Sequence, residues 1–192
     1  MSMKKTFFGA LPDGKPVDCY TIENQNGMRA EILTYGGTLN KLYVPDQNGV
    51  FADVLIGFDT LEGHLNHSDY QGMLVGRYAN RIADGAFVLN GEEYHVTKNE
   101  NQITCLHGGG EFSHAVWDAQ PVGEDALRLS YESPEGAQGF PGRVTAHAVY
   151  TLTQENVLRI DYYAVSDRDT ILNLTNHAYF CLLYTSPSPR DA

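Results

Sequence analysis

Hydrophobic and polar positions alternate with a period of two through much of the second half of the chain. In RVTAHAVYTLT, Val144, Ala146, Ala148, Tyr150 and Leu152 fall on one face. A turn at Gln154-Glu155-Asn156 leads into VLRIDYYAVS, where Leu158, Ile160, Tyr162 and Ala164 share a side. TILNLTNHAYF predicts a third strand. Leu172, Leu174, Ala178 and Phe180 line one face of it, interrupted by Asn176, and Asn173, Thr175, His177 and Tyr179 line the other. Successive side chains of a strand point to opposite faces, so this is the pattern of half-buried strands. In the first half, Asn26-Gly27, Asn48-Gly49 and Asn90-Gly91 each sit between strand-like runs. Both residues tolerate the positive φ that a two-residue hairpin turn requires, and three such pairs predict an antiparallel β protein. No long run repeats at about 3.6 residues, which predicts little helix. The polar, irregular segment 59–73, DTLEGHLNHSDYQGM, reads as surface loop. The expectation is an all-β fold, a large antiparallel β-sandwich.

Composition agrees with a packed domain. Of 192 residues, 42% are hydrophobic and 19% charged, which excludes a disordered chain. The formal charge of −11 repels phosphate backbones, so no nucleic-acid partner is expected. Three cysteines, Cys19, Cys105 and Cys181, form no CxxC and suggest neither a disulfide framework nor a zinc knuckle. The apolar run from Phe7 to Leu11 is shorter than a signal-peptide core, and nothing approaches a membrane-spanning stretch. The expectation is a soluble cytoplasmic protein with no membrane partner. The sequence says nothing of oligomeric state.

Three clusters carry candidate chemistry. GRYANRIADG gathers Arg77, Asn80 and Arg81 between glycines. A guanidinium fork and an amide suit several hydroxyl oxygens at once, although the spacing alone favours a solvated loop paired with nearby acids. CLHGGGEF places His107 before three glycines that let a ligand or another backbone come close. In NLTNHAYF, His177 stands beside Thr175 and Tyr179 on a polar strand face, where an imidazole serves as acid, base or plain hydrogen-bonding group. A metal site at His64 and His67, or at His107 and His114, lacks any supporting ligand pattern and is not expected.

Taken in order, GRYANRI, then LHGG with the following Trp117-Asp118, then NLTNHAYF resemble the aldose 1-epimerase family, the galactose mutarotases. TYGGTLNKLYVPD resembles the opening strands of that family, and the likeness runs from about Thr6 to Phe180. It implies a large antiparallel β-sandwich and interconversion of the α and β anomers of hexoses such as galactose and glucose, without metal or cofactor. A base would take the anomeric hydroxyl proton while an acid protonates the ring oxygen. Rotation about C1–C2 and closure would then give the other anomer. By residue, the resemblance implies His177 as general acid, His107 as the histidine that hydrogen-bonds and polarises the sugar, and Asn80 and Arg81 as the sugar-binding pair. An imidazole with its ordinary pKa of ~6.5 both gives and recovers a proton near neutrality.

There are departures. The loop after LHGG, GGEFSHAVW, is shorter than the family form. The family's base, a glutamate, and a sugar-binding aspartate both lie downstream of the histidine strand, and no acidic residue here falls in a matching motif. The residues after Phe180, CLLYTSPSPRDA, resemble a translated transposon-end adapter from DNA sequencing libraries. The expected division is therefore 1–180, the N-terminal part of a mutarotase-like sandwich, and 181–192, a non-native tail. A sandwich cut midway exposes strand edges and apolar surface, so this chain alone is expected to fold poorly and show little activity. Two alternatives remain open, a non-catalytic carbohydrate-binding sandwich and a hexose-6-phosphate 1-epimerase.

Overall fold

The computed structural model describes residues 2–67 and 69–181. Residues 182–192, nearly all of the segment expected to be a non-native tail, lie outside the described residues. In chain order the strands are β1 (Ser2–Ala10), β2 (Pro16–Glu23), β3 (Arg29–Leu33), β4 (Leu39–Pro45), β5 (Phe51–Asp53) and β6 (Leu55–Ile56). The helix α1 (Leu61–Asn66) precedes β7 (Leu74–Val75), β8 (Arg81–Ile82), β9 (Ala86–Leu89), β10 (Glu92–His95) and β11 (Cys105–Leu106). A short turn of helix, α2 (Glu111–His114), leads to β12 (Asp118–Val122), β13 (Ala126–Ser133), β14 (Val144–Leu152), β15 (Leu158–Ser166), β16 (Thr175–Asn176) and β17 (Tyr179–Phe180).

Two antiparallel sheets make the sandwich, β1 to β5 in sequence order and β12 to β15 in sequence order. They share one core. Tyr20, Ile22, Ala30 and Ile32 enter it from the first sheet, and Leu127 and Leu129 enter from the second. All five residues expected on the inner face of β14, Val144 through Leu152, are fully buried. Burying each large apolar side chain contributes roughly 1.5–3 kcal/mol, and this is what fixes the strand registers. On β15, Leu158, Ile160, Tyr162 and Ala164 pack partly buried against the same core, as the alternation implied.

Each Asn-Gly pair joins two adjacent strands, but by different turns. At Asn90-Gly91 both residues have positive φ, 54° and 83°, the two-residue turn expected. At the other two pairs only the glycine does, Gly27 at 84° and Gly49 at 79°. There the loops are longer. Asn24 N–H bonds the Met28 carbonyl at 3.0 Å and Asp46 N–H the Val50 carbonyl at 2.9 Å, so the glycine follows an ordinary turn.

Two sequence expectations need correction. Segment 59–73 is not all loop, because α1 forms within it. The Thr60 hydroxyl caps that helix by accepting from Gly63 N–H at 3.2 Å, and six residues are too few for a helical period to show. Segment 170–180 is not one strand. Its Thr175–Asn176 pairs with β7 and its Tyr179–Phe180 with β6. The Asn176 side chain causes the step. Its amide donates to the Gly72 carbonyl at 2.6 Å and its oxygen accepts from Ala178 N–H at 2.9 Å, side-chain bonds that compete with regular strand pairing at this point. Phe180, expected on the inner face, is consequently exposed.

Candidate active site

The three clusters converge because each supplies the backbone partners of another. Arg81 and Ile82 pair with Leu106 and Cys105, β8 against β11. The pairing extends one residue further. His107 N–H donates to the Asn80 carbonyl at 2.9 Å, and Asn80 N–H donates to His107 Nδ1 at 3.0 Å. Ala79 N–H reaches the Asn173 carbonyl at 2.9 Å, and Asn173 N–H the Arg77 carbonyl at 2.8 Å. His177 is held by its backbone, donating to the Met73 carbonyl at 2.8 Å and accepting from Gly72 N–H at 3.0 Å.

These contacts enclose a cleft of about 680 Å³ lined by Asn80, Arg81, His107, Thr175, His177 and Tyr179, with Asp69 and Tyr70 at its side. The four residues expected to bind or react, Asn80, Arg81, His107 and His177, all line it. The His107 and His177 rings meet edge to face, with centroids 5.0 Å apart.

The geometry fixes the tautomer of His107. A backbone amide only donates, so Nδ1 carries no proton and the neutral ring keeps its proton on Nε2. Burial pushes the pKa of His107 down to about 4, helped by the charges of His177 and Arg81 and opposed by Glu100. Near neutrality His107 therefore offers an N–H donor rather than a cation. The His177 ring makes no hydrogen bond among the described residues and lies 5.1 Å from the Tyr179 ring. Both of its nitrogens are left for a ligand.

Arg81 is gripped by Glu100, Nε to Oε2 at 2.7 Å and Nη2 to Oε1 at 2.6 Å, while Nη1 donates to Asn80 Oδ1 at 3.2 Å. Two of its five N–H groups remain free among the described residues. The pairing holds the Glu100 carboxyl below the usual carboxylate range. The expected pairing of this arginine with a nearby acid and its expected role at the cleft are thus compatible.

Arg77, which the spacing groups with Arg81, does not reach the cleft. It is fully buried, and all five N–H groups are used. They meet Ser133 Oγ and the carbonyls of Ser133, Pro134, Pro141 and Gly142 at 2.7 to 3.2 Å. The first glycine after His107 likewise serves the backbone. Gly108 has φ of 62°, and a Cβ there would collide with the Gly76 carbonyl and the Arg77 nitrogen. Another backbone, not a ligand, takes that space. His64 and His67 do not converge on a ligand: His64 is buried and bonds Asn40 Oδ1 at 2.9 Å, and His67 stacks on Phe58. Among the described residues no three His, Cys, Asp or Glu side chains gather closely enough to hold a metal ion.

Sequence reading missed Tyr70, Asn99 and Glu100. The Tyr70 ring packs edge-on against His107 at 4.8 Å and lies 6.2 Å from His177. It sat in the segment read as loop. Asn99 and Glu100 lie just before the CLHGG motif, and their only sequence signal is a carboxylate near an arginine-rich cluster.

The family model described as Aldose 1-epimerase matches residues 18–188. The chain is 42% identical over 180 residues to an aldose 1-epimerase of Haemophilus influenzae, covering 94% of this chain and 52% of that one. It is 38% identical to the galactose mutarotase of Rattus norvegicus, covering 95% and 53% of the two chains. Among solved structures it matches a galactose 1-epimerase from Lactobacillus acidophilus, with a TM-score of 0.82 at 30% identity, covering 94% and 53%. The chain spans about half the length of these relatives.

Proposed function

The chain belongs to the aldose 1-epimerase family, and from that premise we propose that its cleft binds a hexose such as galactose or glucose and takes part in interconverting its anomers. One observation carries this proposal above the others. An imidazole with both nitrogens unpartnered among the described residues, His177, lies against an imidazole held as an N–H donor, His107, in a cleft that also presents Asn80 and Arg81.

In the proposed reaction His177 protonates the ring oxygen as C1–O5 opens and takes the proton back on closure. His107 donates from Nε2 to a sugar oxygen, stabilising charge that develops as the hemiacetal opens. Arg81 and Asn80 orient the sugar hydroxyls through their free N–H groups. No acidic residue here falls in the family's base motif, so binding and acid catalysis, but not the base, are assigned to the described residues. The substrate is a small molecule, and no nucleic-acid or membrane partner is proposed. Among the described residues no helix is long and apolar enough to cross a membrane. A cytoplasmic location is proposed on the two buried free thiols, Cys19 and Cys105.

Polarimetry with a supplied base tests this. The relaxation of α-D-galactose is followed with the chain, with His177→Asn, and with acetate added to each. A rate above the acetate background that His177→Asn removes supports the proposal. Saturable galactose binding with no such rate would favour the non-catalytic carbohydrate-binding alternative. A preference for galactose 6-phosphate over galactose would favour the phosphosugar epimerase.

A further inference from the structure

Two side chains that touch no obvious ligand space hold both arms of the cleft. Asn99 exchanges two hydrogen bonds with the backbone of Leu106. Leu106 N–H donates to Asn99 Oδ1 at 2.7 Å, and Asn99 Nδ2 donates to the Leu106 carbonyl at 2.9 Å. The amide thus acts as one more strand residue beside β11. Leu106 is also the register partner of Arg81 and the residue immediately before His107. The same Nδ2 lies 3.4 Å from the Tyr70 hydroxyl, and the Tyr70 ring backs His107. Glu100, the next residue, takes the Arg81 guanidinium in a two-bond fork. A tight turn fixes the dipeptide. Ile103 N–H donates to the Glu100 carbonyl at 3.0 Å across Asn101 and Gln102, both at positive φ.

We propose that Asn99 and Glu100 are the positioning residues of this cleft. Asn99 sets His107 and Tyr70, and Glu100 aims the free N–H groups of Arg81. The inference rests on the cleft being the hexose site, but one of its consequences does not. The donor tautomer of His107 requires Asn80 N–H to meet Nδ1, and that alignment depends on where Asn99 holds Leu106. Loss of Glu100 frees the guanidinium and leaves the His107 tautomer alone. The two residues therefore separate by readout.

The test uses the full chain labelled with ¹⁵N-histidine, observing the His107 nitrogens, with galactose affinity measured in parallel and Trp117 fluorescence following unfolding. Wild type is expected to show one tautomer, protonated on Nε2. Asn99→Ala is expected to mix the tautomers and weaken galactose binding about ten-fold or more, since misaligned groups lose most of their binding value. Asn99→Asp keeps the acceptor for Leu106 N–H and is expected to retain the tautomer. Glu100→Ala is expected to keep the tautomer and lose affinity several-fold. An unmixed tautomer and unchanged affinity in Asn99→Ala would overturn the proposal. If Asn99→Ala does not unfold cooperatively, the Asp variant decides: a single tautomer supports the clamp, and a mixture with a wild-type melt overturns it. If wild type shows the tautomer but binds no galactose, the hexose assignment fails and the His107 clamp is still judged by its tautomer.

Discussion

Arg77 and Arg81 stand four residues apart in one motif and serve two regions governed by opposite rules. Arg77 anchors the buried foot of the turn, where every donor is met by a carbonyl or by Ser133, whose hydroxyl in turn donates to Glu111 at 2.9 Å. Arg81 stands at the cleft rim, half-exposed and held by Glu100, with two donors unspent among the described residues. The first arrangement removes any chance of binding a ligand and makes the turn rigid. The second leaves hydrogen-bonding capacity unused, which is what a binding site needs. Rigidity underneath is what lets the rim keep its open donors in place.

The largest effect should come from the foot. Arg77→Met should destabilise the chain by about 4 kcal/mol or more, because several carbonyls lose their donors at once in a dry environment. Loss of a cooperative urea transition in Trp117 fluorescence would be the sign, and a near-normal midpoint would break the contrast.

Acid sharpens the same contrast. Burial pushes the pKa of His64 down to about 4, so it stays neutral in the fold while the unfolded chain binds a proton below ~6.5. Stability from this group is whole above pH ~6.5 and is lost as pH falls toward 4, on the order of 3 kcal/mol in total. His107 shifts in the same direction. Denaturation midpoints that do not fall over this window would contradict the assignment, as would ring shifts showing either histidine protonated at pH 6.

Gly108→Ala should cost about 2–3 kcal/mol, because alanine at this positive φ is strained and its Cβ strikes the Gly76-Arg77 backbone. The smallest effect on stability is expected at the rim. Arg81→Ala should shift stability by under ~0.5 kcal/mol, since an exposed pair contributes little. It should nevertheless remove most galactose affinity, and a loss of stability without loss of affinity would erase the distinction between the two regions.

The long strands were open to sequence reading because their information is local. On β14, each residue's face follows from its neighbours two positions away, and all five inward positions are buried. The cleft is built differently. It rests on two-residue pairings, β8 with β11 and β7 with β16, joined by single bonds such as Asn80 N–H to His107 Nδ1. The motifs name Asn80, Arg81, His107 and His177, and all four do meet. Their supports could not be read in the same way. Asn99 acts through an amide that imitates backbone, and Tyr70 reaches the histidines from a segment without period. Arg77 looks like a ligand-binding residue in sequence and is a structural one, because only three-dimensional packing shows four carbonyls converging on it.

The most direct test of the hexose cleft is a D-galactose titration of the ¹⁵N-histidine-labelled chain. The prediction is saturable movement of the His107 and His177 ring signals, with buried His64 unmoved and the response lost in Arg81→Ala. Rings that stay still at saturating sugar, or movement confined to histidines outside the cleft, would contradict it.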